Sequence, residues 1–302
     1  MIMGNSIDFV MNSNFPDREF EKKSGLKNQI LCIRDISKSF GGIKALSSCS
    51  MEIKTSKITA IIGPNGSGKT TLFNIISGIL IPDHGEIIFQ DENIINVQDY
   101  KRSNLGISRT FQDVKLFKNL SVKDHIKISL TKDYESIVKS AIKKEKDNNK
   151  EIENILKNFD LNEKINDYVS DLSYGQRKLL DLAVAVSKNH LVLMLDEPVA
   201  GVNPKLRLRI SEILKNLRKK GETIILIEHD MNFVMSIADY IYVLDNGEVI
   251  AHGVPKKIKN NKKVLEAYLG EWCYNSKNSL GESIFMPLNS LSFNKCSSPL
   301  IM

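Results

Sequence analysis

The chain lacks the features that would put it in several broad classes. Its four cysteines, Cys32, Cys49, Cys273 and Cys296, form no C-x-x-C pair. That excludes a cysteine-rich zinc module and a disulfide framework, and predicts free thiols. No apolar run approaches the roughly 20 residues that a membrane helix needs, so the chain is not expected to span a bilayer by itself. The first residues, MIMGNSIDFVMNSNFPDREFEKKSG, have no basic cluster followed by an apolar core. No secretory signal is read there, and a cytoplasmic setting is the default expectation. There is no internal repeat. Positive charge is not concentrated either: the formal net charge is +6, and residues 131–164 hold eight lysines against eight acids. A balanced run of this kind reads as a solvated helical face and not as a nucleic-acid surface.

What is present is an ordinary soluble composition, 42% hydrophobic and 26% charged, in a chain of 302 residues long enough for one large α/β domain. The runs ILCIRDISKSF, CSMEIKTSKITAIIG and EIIFQ are of strand length and rich in β-branched residues, so they predict a strand-rich lobe. Between about Asp113 and Asp171 the pattern turns helical. Ile152, Ile155, Leu156 and Phe159 share the spacing of one buried stripe. Then LVLMLDEP, a helix from Pro204 with Ile210, Ile213, Leu214 and Leu217 on one face, TIILIEHD and IYVLDNGEVIA alternate strand with helix. This alternation predicts a parallel sheet with helices on both faces. Asn203 and Pro204 supply an N-cap and a first-turn proline, and Gly221 ends the helix. The polar segments 1–28 and 271–302 read as disordered extensions around a domain at 29–270, with a helical subdomain at about 113–172.

GPNGSGKT follows the apolar strand Ile58–Ile62 and precedes a helical pattern, and it fits G-x-x-x-x-G-K-[ST]. Gly63, Gly66 and Gly68 let backbone N–H groups turn toward the β- and γ-phosphates of a nucleotide, with Pro64, Asn65, Ser67 and Thr71 completing the cradle. Lys69 brings a full positive charge to the same oxygens, and the Thr70 hydroxyl is a Mg²⁺ ligand. LVLMLDEP is an apolar strand whose end presents two acids. Asp196 is expected to hold Mg²⁺ through water, and Glu197 to act as general base on the attacking water. Gln112 in RTFQD is a further candidate ligand for metal and water. His229 in IEHD, again at a strand end, is a candidate γ-phosphate contact; alone such a histidine is more often structural, so its weight comes from the other motifs.

With LSYGQ at Leu172–Gln176 added, the chain resembles the ATP-binding cassette ATPases, with five motifs in the family's order and spacing over about residues 30–270. The resemblance implies an α/β P-loop cassette with a strand-rich nucleotide-binding lobe and an inserted helical subdomain. It implies ATP and Mg²⁺ as ligands, and a second cassette as partner. In that arrangement Ser173, Gly175 and Gln176 reach the γ-phosphate held by the other subunit, and Phe40 in KSFGG stacks on adenine.

The stretches GISRTFQDVKLFKNLSV, LSYGQ, LDEPVAGVNP, IEHDMNFVM and VLEAYLG are similar to the cassettes of branched-chain amino acid importers. Urea and short-chain amide importer cassettes are nearly as similar, and cassettes of lipopolysaccharide export systems less so. The importer resemblance implies two permease subunits, a solute-binding protein outside the membrane, attachment at the cytoplasmic membrane face, and no nucleic acid. It also makes residues 109–120 the groove for the permease. A soluble cassette acting on DNA or ribosomes is disfavoured, because the chain has no second cassette, long coiled coil or zinc cysteines. Val184 departs from the arginine common at its position in the signature helix, which implies a lost polar contact. Residues 271–302 have no counterpart in such cassettes.

Overall fold

The computed structural model describes residues 28–112, 114–131 and 145–273. The terminal extensions expected to be disordered therefore lie almost wholly outside the described residues. So does part of the lysine- and acid-rich run. The described residues up to Tyr268 form one compact unit, and those from Leu269 to Cys273, which are helical, belong to a second.

Two sheets organise the first unit. An antiparallel sheet contains β1 (Gln29–Phe40), β2 (Ile43–Lys54), β4 (His84–Phe89) and β5 (Glu92–Asn93), in the order β2-β1-β4-β5. The second contains β3 (Ile58–Ile62), β6 (Ile107–Arg109), β7 (Val192–Asp196), β8 (Thr223–Ile227), β9 (Tyr240–Asp245) and β10 (Glu248–Gly253), in the order β10-β9-β3-β8-β7-β6. Neighbours from β6 to β9 run parallel. The expectation of a parallel sheet needs one correction: β10 pairs antiparallel with β9. Asn246 and Gly247 take positive φ values of 46° and 81°, the geometry of a tight hairpin, so the chain turns back before any crossover helix can form.

The helices are α1 (Lys69–Ile76), α2 (Asp99–Asn104), α3 (Val122–Leu130), α4 (Glu145–Asn158), α5 (Tyr174–Ser187), α6 (Pro204–Lys219), α7 (Met231–Ile237), α8 (Pro255–Lys259) and α9 (Lys262–Cys273). Among the described residues, no helix is long and apolar enough to cross a membrane. Asn203 caps α6 by accepting from the Leu206 N–H, with Pro204 in the first turn, and Gly221 follows at φ +94°.

Strand periodicity divides the core into two layers. Every residue of β3, β7 and β8 is buried, as strands covered on both faces require. Ile58, Ala60, Ile62, Leu193, Leu195, Ile224 and Leu226 point to the layer formed by α3 to α7. Ile61, Val192, Met194, Ile225 and Ile227 point to the layer of α1 and the antiparallel sheet. The predicted stripe Ile152, Ile155, Leu156 and Phe159 is fully buried and joins the first layer, so the helical segment shares a core with the sheet. Val184 packs against that layer too, in keeping with an apolar residue there. Cys32 and Cys49 are free thiols, as expected, and burial pushes the Cys49 thiol up to about 12. The side chains of the other two cysteines lie outside the described residues.

Phe159 is fully buried in that shared layer, so Phe159→Ala should lower unfolding stability by about 3–5 kcal/mol. Chemical denaturation followed by circular dichroism reads the loss; a change below about 1 kcal/mol would mean that the helical segment is not anchored through this residue.

Candidate functional site

The loop between β3 and α1 is shaped by close backbone approach. A Cβ on Gly63 would lie 2.0 Å from the carbonyl oxygen of Leu244, so only glycine fits there. Gly66, at φ +80°, has nothing within 4 Å on the side where a Cβ would stand. Lys69 is 5% exposed, and its ammonium donates to the carbonyls of Gly63 at 2.9 Å and Pro64 at 2.7 Å, and to Ser67 Oγ at 3.4 Å. These acceptors are all neutral. Burial lowers the Lys69 pKa, while the charges of Glu197 and Asp196 oppose that shift. A buried cation solvated by carbonyls at a helix N-terminus suits an oxyanion such as a nucleotide phosphate.

Asp196, the last residue of β7, is 4% exposed and receives Arg109 Nη2 at 2.9 Å. The same guanidinium donates through Nη1 to Asn74 Oδ1 at 2.8 Å and Ser77 Oγ at 2.9 Å. It lies 5.5 Å and 5.1 Å from the ring centres of Phe73 and Phe111. The Asp196 N–H donates to Thr110 Oγ1 at 3.2 Å. The end of β6 thus grips both the backbone and the side chain of Asp196.

Glu197 follows with φ +48°, an uncommon value for a side chain of its size. Both carboxylate oxygens are engaged: Oε1 lies 2.8 Å from His229 Nε2, and Oε2 accepts from Gln112 Nε2 at 3.2 Å. The strained turn is held by the Glu197 N–H donating to the Ile227 carbonyl, and by Ala200 N–H and Lys178 Nζ donating to the Glu197 carbonyl at 3.2 and 3.4 Å. Gln112, Glu197 and His229, placed in separate motifs by the sequence, thus meet beyond the ends of adjacent parallel strands.

Glu228, at the end of β8, is 3% exposed. Its Oε1 accepts from the Val199 N–H at 2.9 Å and its Oε2 from the His229 N–H at 3.2 Å. One carboxyl group therefore joins the loop after β7 to the loop carrying His229. Burial pushes it up to about 7, with the Glu197 charge adding to the rise and the backbone donors opposing it. Asp230 caps α7 through the Phe233 N–H and pairs with Arg207 on α6 at 2.5 Å.

The remaining expected site residues lie elsewhere on the unit. Phe40 is 46% exposed and pairs with Ile43 across the turn joining β1 and β2. Ser173 and Gln176 form a capping box at the start of α5: Ser173 Oγ accepts from the Gln176 N–H at 3.3 Å, and the Ser173 N–H donates to Gln176 Oε1 at 2.9 Å. A Cβ on Gly175 would meet Leu206 of α6 at 2.7 Å. Among the described residues, no hydrogen bond joins Ser173, Gly175 or Gln176 to the loop at 63–70.

Sequence reasoning missed Arg109, Lys178 and Glu228. Each carries a signal in hindsight: a charged residue embedded in, or closing, an otherwise apolar element. No local pattern names their distant partners: Asp196 lies 87 positions from Arg109, Glu197 lies 19 from Lys178, and Val199 lies 29 from Glu228.

Glu228 gives the site a pH dependence of defined sign. Its folded pKa of about 7 exceeds the ordinary value of 4.5, so the folded state binds more protons between the two. The stability tied to this group is full below pH 4.5 and lost as pH rises through 7, with a magnitude of about 3 kcal/mol. Glu228→Gln removes the titration, so its melting temperature relative to the wild type should rise from pH 5 to pH 8. A difference that stays flat across that range would refute the assignment.

A family model described as ABC transporter matches residues 46–200, and one described as branched-chain amino acid ATP-binding cassette transporter matches residues 248–271. The chain is 38% identical over 246 residues to the "Probable branched-chain amino acid transport ATP-binding protein LivG" of Archaeoglobus fulgidus, covering 80% of this chain and 96% of that protein. It is 34% identical over 254 residues to the high-affinity branched-chain amino acid transport ATP-binding protein LivG of Escherichia coli K12, covering 82% of this chain and all of that one. Among solved structures, an ATP-binding cassette of an ABC transporter in its ADP conformation superposes with a TM-score of 0.71 at 34% identity, over 80% of this chain and 99% of that one. A nucleotide-free cassette superposes with a TM-score of 0.70 at 34% identity, over 80% of this chain and all of that one. A phosphate loop and an acidic strand end built around one sheet, in a chain that spans nearly the full length of such relatives, place this protein in the ATP-binding cassette family of ABC transporters.

Proposed function

We propose that the chain is the ATP-binding and ATP-hydrolysing subunit of an importer for branched-chain amino acids. The observation that carries the hydrolytic part is the meeting of Gln112 and His229 on Glu197, next to Asp196 and across the sheet end from the Lys69 loop. The names of the relatives support the cargo.

In this reading Gly63, Pro64, Asn65, Gly66, Ser67, Gly68, Lys69, Thr70 and Thr71 bind the phosphates, and Phe40 stacks on adenine. The Thr70 hydroxyl, the Gln112 amide oxygen and the Asp196 carboxylate are hard oxygen donors, and too few to saturate a cation. Such a set fits Mg²⁺, which fills its remaining positions with water and phosphate oxygens. When bound, the ion neutralises charge on the phosphates. Glu197 takes the proton from the attacking water, and to do so it exchanges one of its two present partners for that water. His229 steadies the base and contacts the γ-phosphate.

Ser173, Gly175 and Gln176 complete the site of a second cassette in trans, the N-terminus of the 14-residue α5 adding its positive end. The ATPase domain spans 29–270, with the helical subdomain at 113–172. Residues 109–120 receive the permease, and Phe117 there is 66% exposed, an anchor of the kind interfaces use. Two permease subunits and a solute-binding protein outside the membrane complete the assembly, with the cassettes on the cytoplasmic membrane face.

Lys69→Ala should weaken nucleotide binding at least about tenfold by calorimetry, because it removes a charge-assisted donor; unchanged affinity would refute the loop assignment. Glu197→Gln should retain binding, lower turnover by about 10²–10⁴ and accumulate as a closed dimer with Mg-ATP on a sizing column. In cells whose only copy carries Glu197→Gln, labelled leucine uptake should be lost. Intact leucine uptake with reduced urea uptake would reassign the cargo, and no change in either would overturn the importer reading.

A further inference from the structure

Lys178 stands out among the buried charges that the hydrolytic scheme leaves unused. It lies on α5, is 5% exposed, and donates to the backbone carbonyl of Gln112 at 3.1 Å and that of Glu197 at 3.4 Å. These two residues also join through their side chains, Gln112 Nε2 to Glu197 Oε2 at 3.2 Å. A closed ring results: from the ammonium to one backbone, through two side chains, to the other backbone and back to the ammonium.

The ring is buried at the ammonium and reaches solvent at the Gln112 side chain. Lys178 borders a cavity of about 10 Å³ together with Thr110, Phe111, Asp181, Asp196 and Pro198, room for about one water. Asp181, one turn further along α5, lies near enough to feel the charge of the ammonium. Within the two turns before it on the same helix stand Ser173 and Gln176, locked in their capping box. Short helices move as rigid units, so a displacement of Gln112 or Glu197 reaches Ser173 unless the Lys178 bonds break.

We propose that Lys178 is a positioning residue that couples the phosphate site of a chain to the signature segment of the same chain, so that nucleotide bound in cis presets the surface offered to the second cassette. The coupling rests on the nucleotide reading above. It needs the ammonium and not just a long side chain, because two carbonyls must be satisfied at once. A methionine fills the space but donates to neither, so the Gln112 carbonyl loses this donor and the Glu197 carbonyl keeps the Ala200 N–H alone.

Hydrogen–deuterium exchange on the full chain tests this, at a dilution where sizing gives a monomer, with and without Mg²⁺ and a non-hydrolysable ATP analogue. In the wild type, residues 63–71 and residues 172–180 should both slow, the latter at least about threefold. In Lys178→Met the slowing at 63–71 should persist and that at 172–180 should vanish, and Lys178→Arg should restore it. Should Lys178→Met lose its cooperative melting transition, Lys178→Gln, also uncharged, is read the same way. Equal slowing of 172–180 in the neutral variant and the wild type would overturn the coupling, as would its absence in the wild type while 63–71 responds. No response at 63–71 in the wild type would instead overturn the nucleotide reading on which the coupling rests.

Discussion

A full positive charge buried at the end of β3 is the constraint around which the first unit is arranged. Moving the Lys69 ammonium out of water is costly, and neutral carbonyls offset only part of that cost, which is why burial lowers its pKa. Two carboxylates at the end of β7 supply the opposing field. They stand there because β7 runs parallel to β3 with β8 between them, in a register that pairs Asp196 with Ile227 and Ile61 with Ile227. A parallel sheet brings like ends together, so every loop leaving these strands opens on the same side.

The negative side has its own problem. Asp196 is as buried as Lys69, and its direct partner is Arg109 and not the lysine. A guanidinium suits this place, since its planar fork serves a carboxylate, an amide and a hydroxyl while its faces meet two aromatic rings. Removing one partner from such a buried pair leaves an uncompensated charge, so the geometry of α1, β6 and β7 is mutually dependent. Glu197 is handled differently. Its positive φ stores local strain, held by an acceptor for its N–H and two donors to its carbonyl, and its carboxylate is shared between two loops. Strain of this kind keeps the carboxylate out of the sheet and on Gln112 and His229.

Communication follows from the same few charges. Lys178 ties α5 to the segments carrying Gln112 and Glu197, and Glu228 ties the loop after β7 to that carrying His229. Asp230 and Arg207 extend the second link to α6. The helical layer and the sheet share one apolar core, so these polar links cross a packed boundary and not a hinge filled with solvent. The segments carrying Gln112, Glu197 and His229 thus have short physical links to the helices.

Much of this was legible along the chain. The apolar strands at Ile58–Ile62, in LVLMLDEP and in TIILIEHD, the glycine spacing of the loop, the cap at Asn203, and the helical stripe through Phe159 are all local patterns, set by dihedral preference and periodicity over a few residues. The antiparallel turn-back of β10 was missed, although Asn246-Gly247 signalled it, because alternation of apolar runs does not encode strand direction. Tertiary structure alone decided which buried charge meets which: Arg109 with Asp196, Lys178 with two carbonyls, Glu228 with two backbone donors, and Gln112 and His229 on one carboxylate. The reason is physical. Residue type and spacing record what a segment can form with itself, whereas these partners are set by strand order and register across the whole sheet.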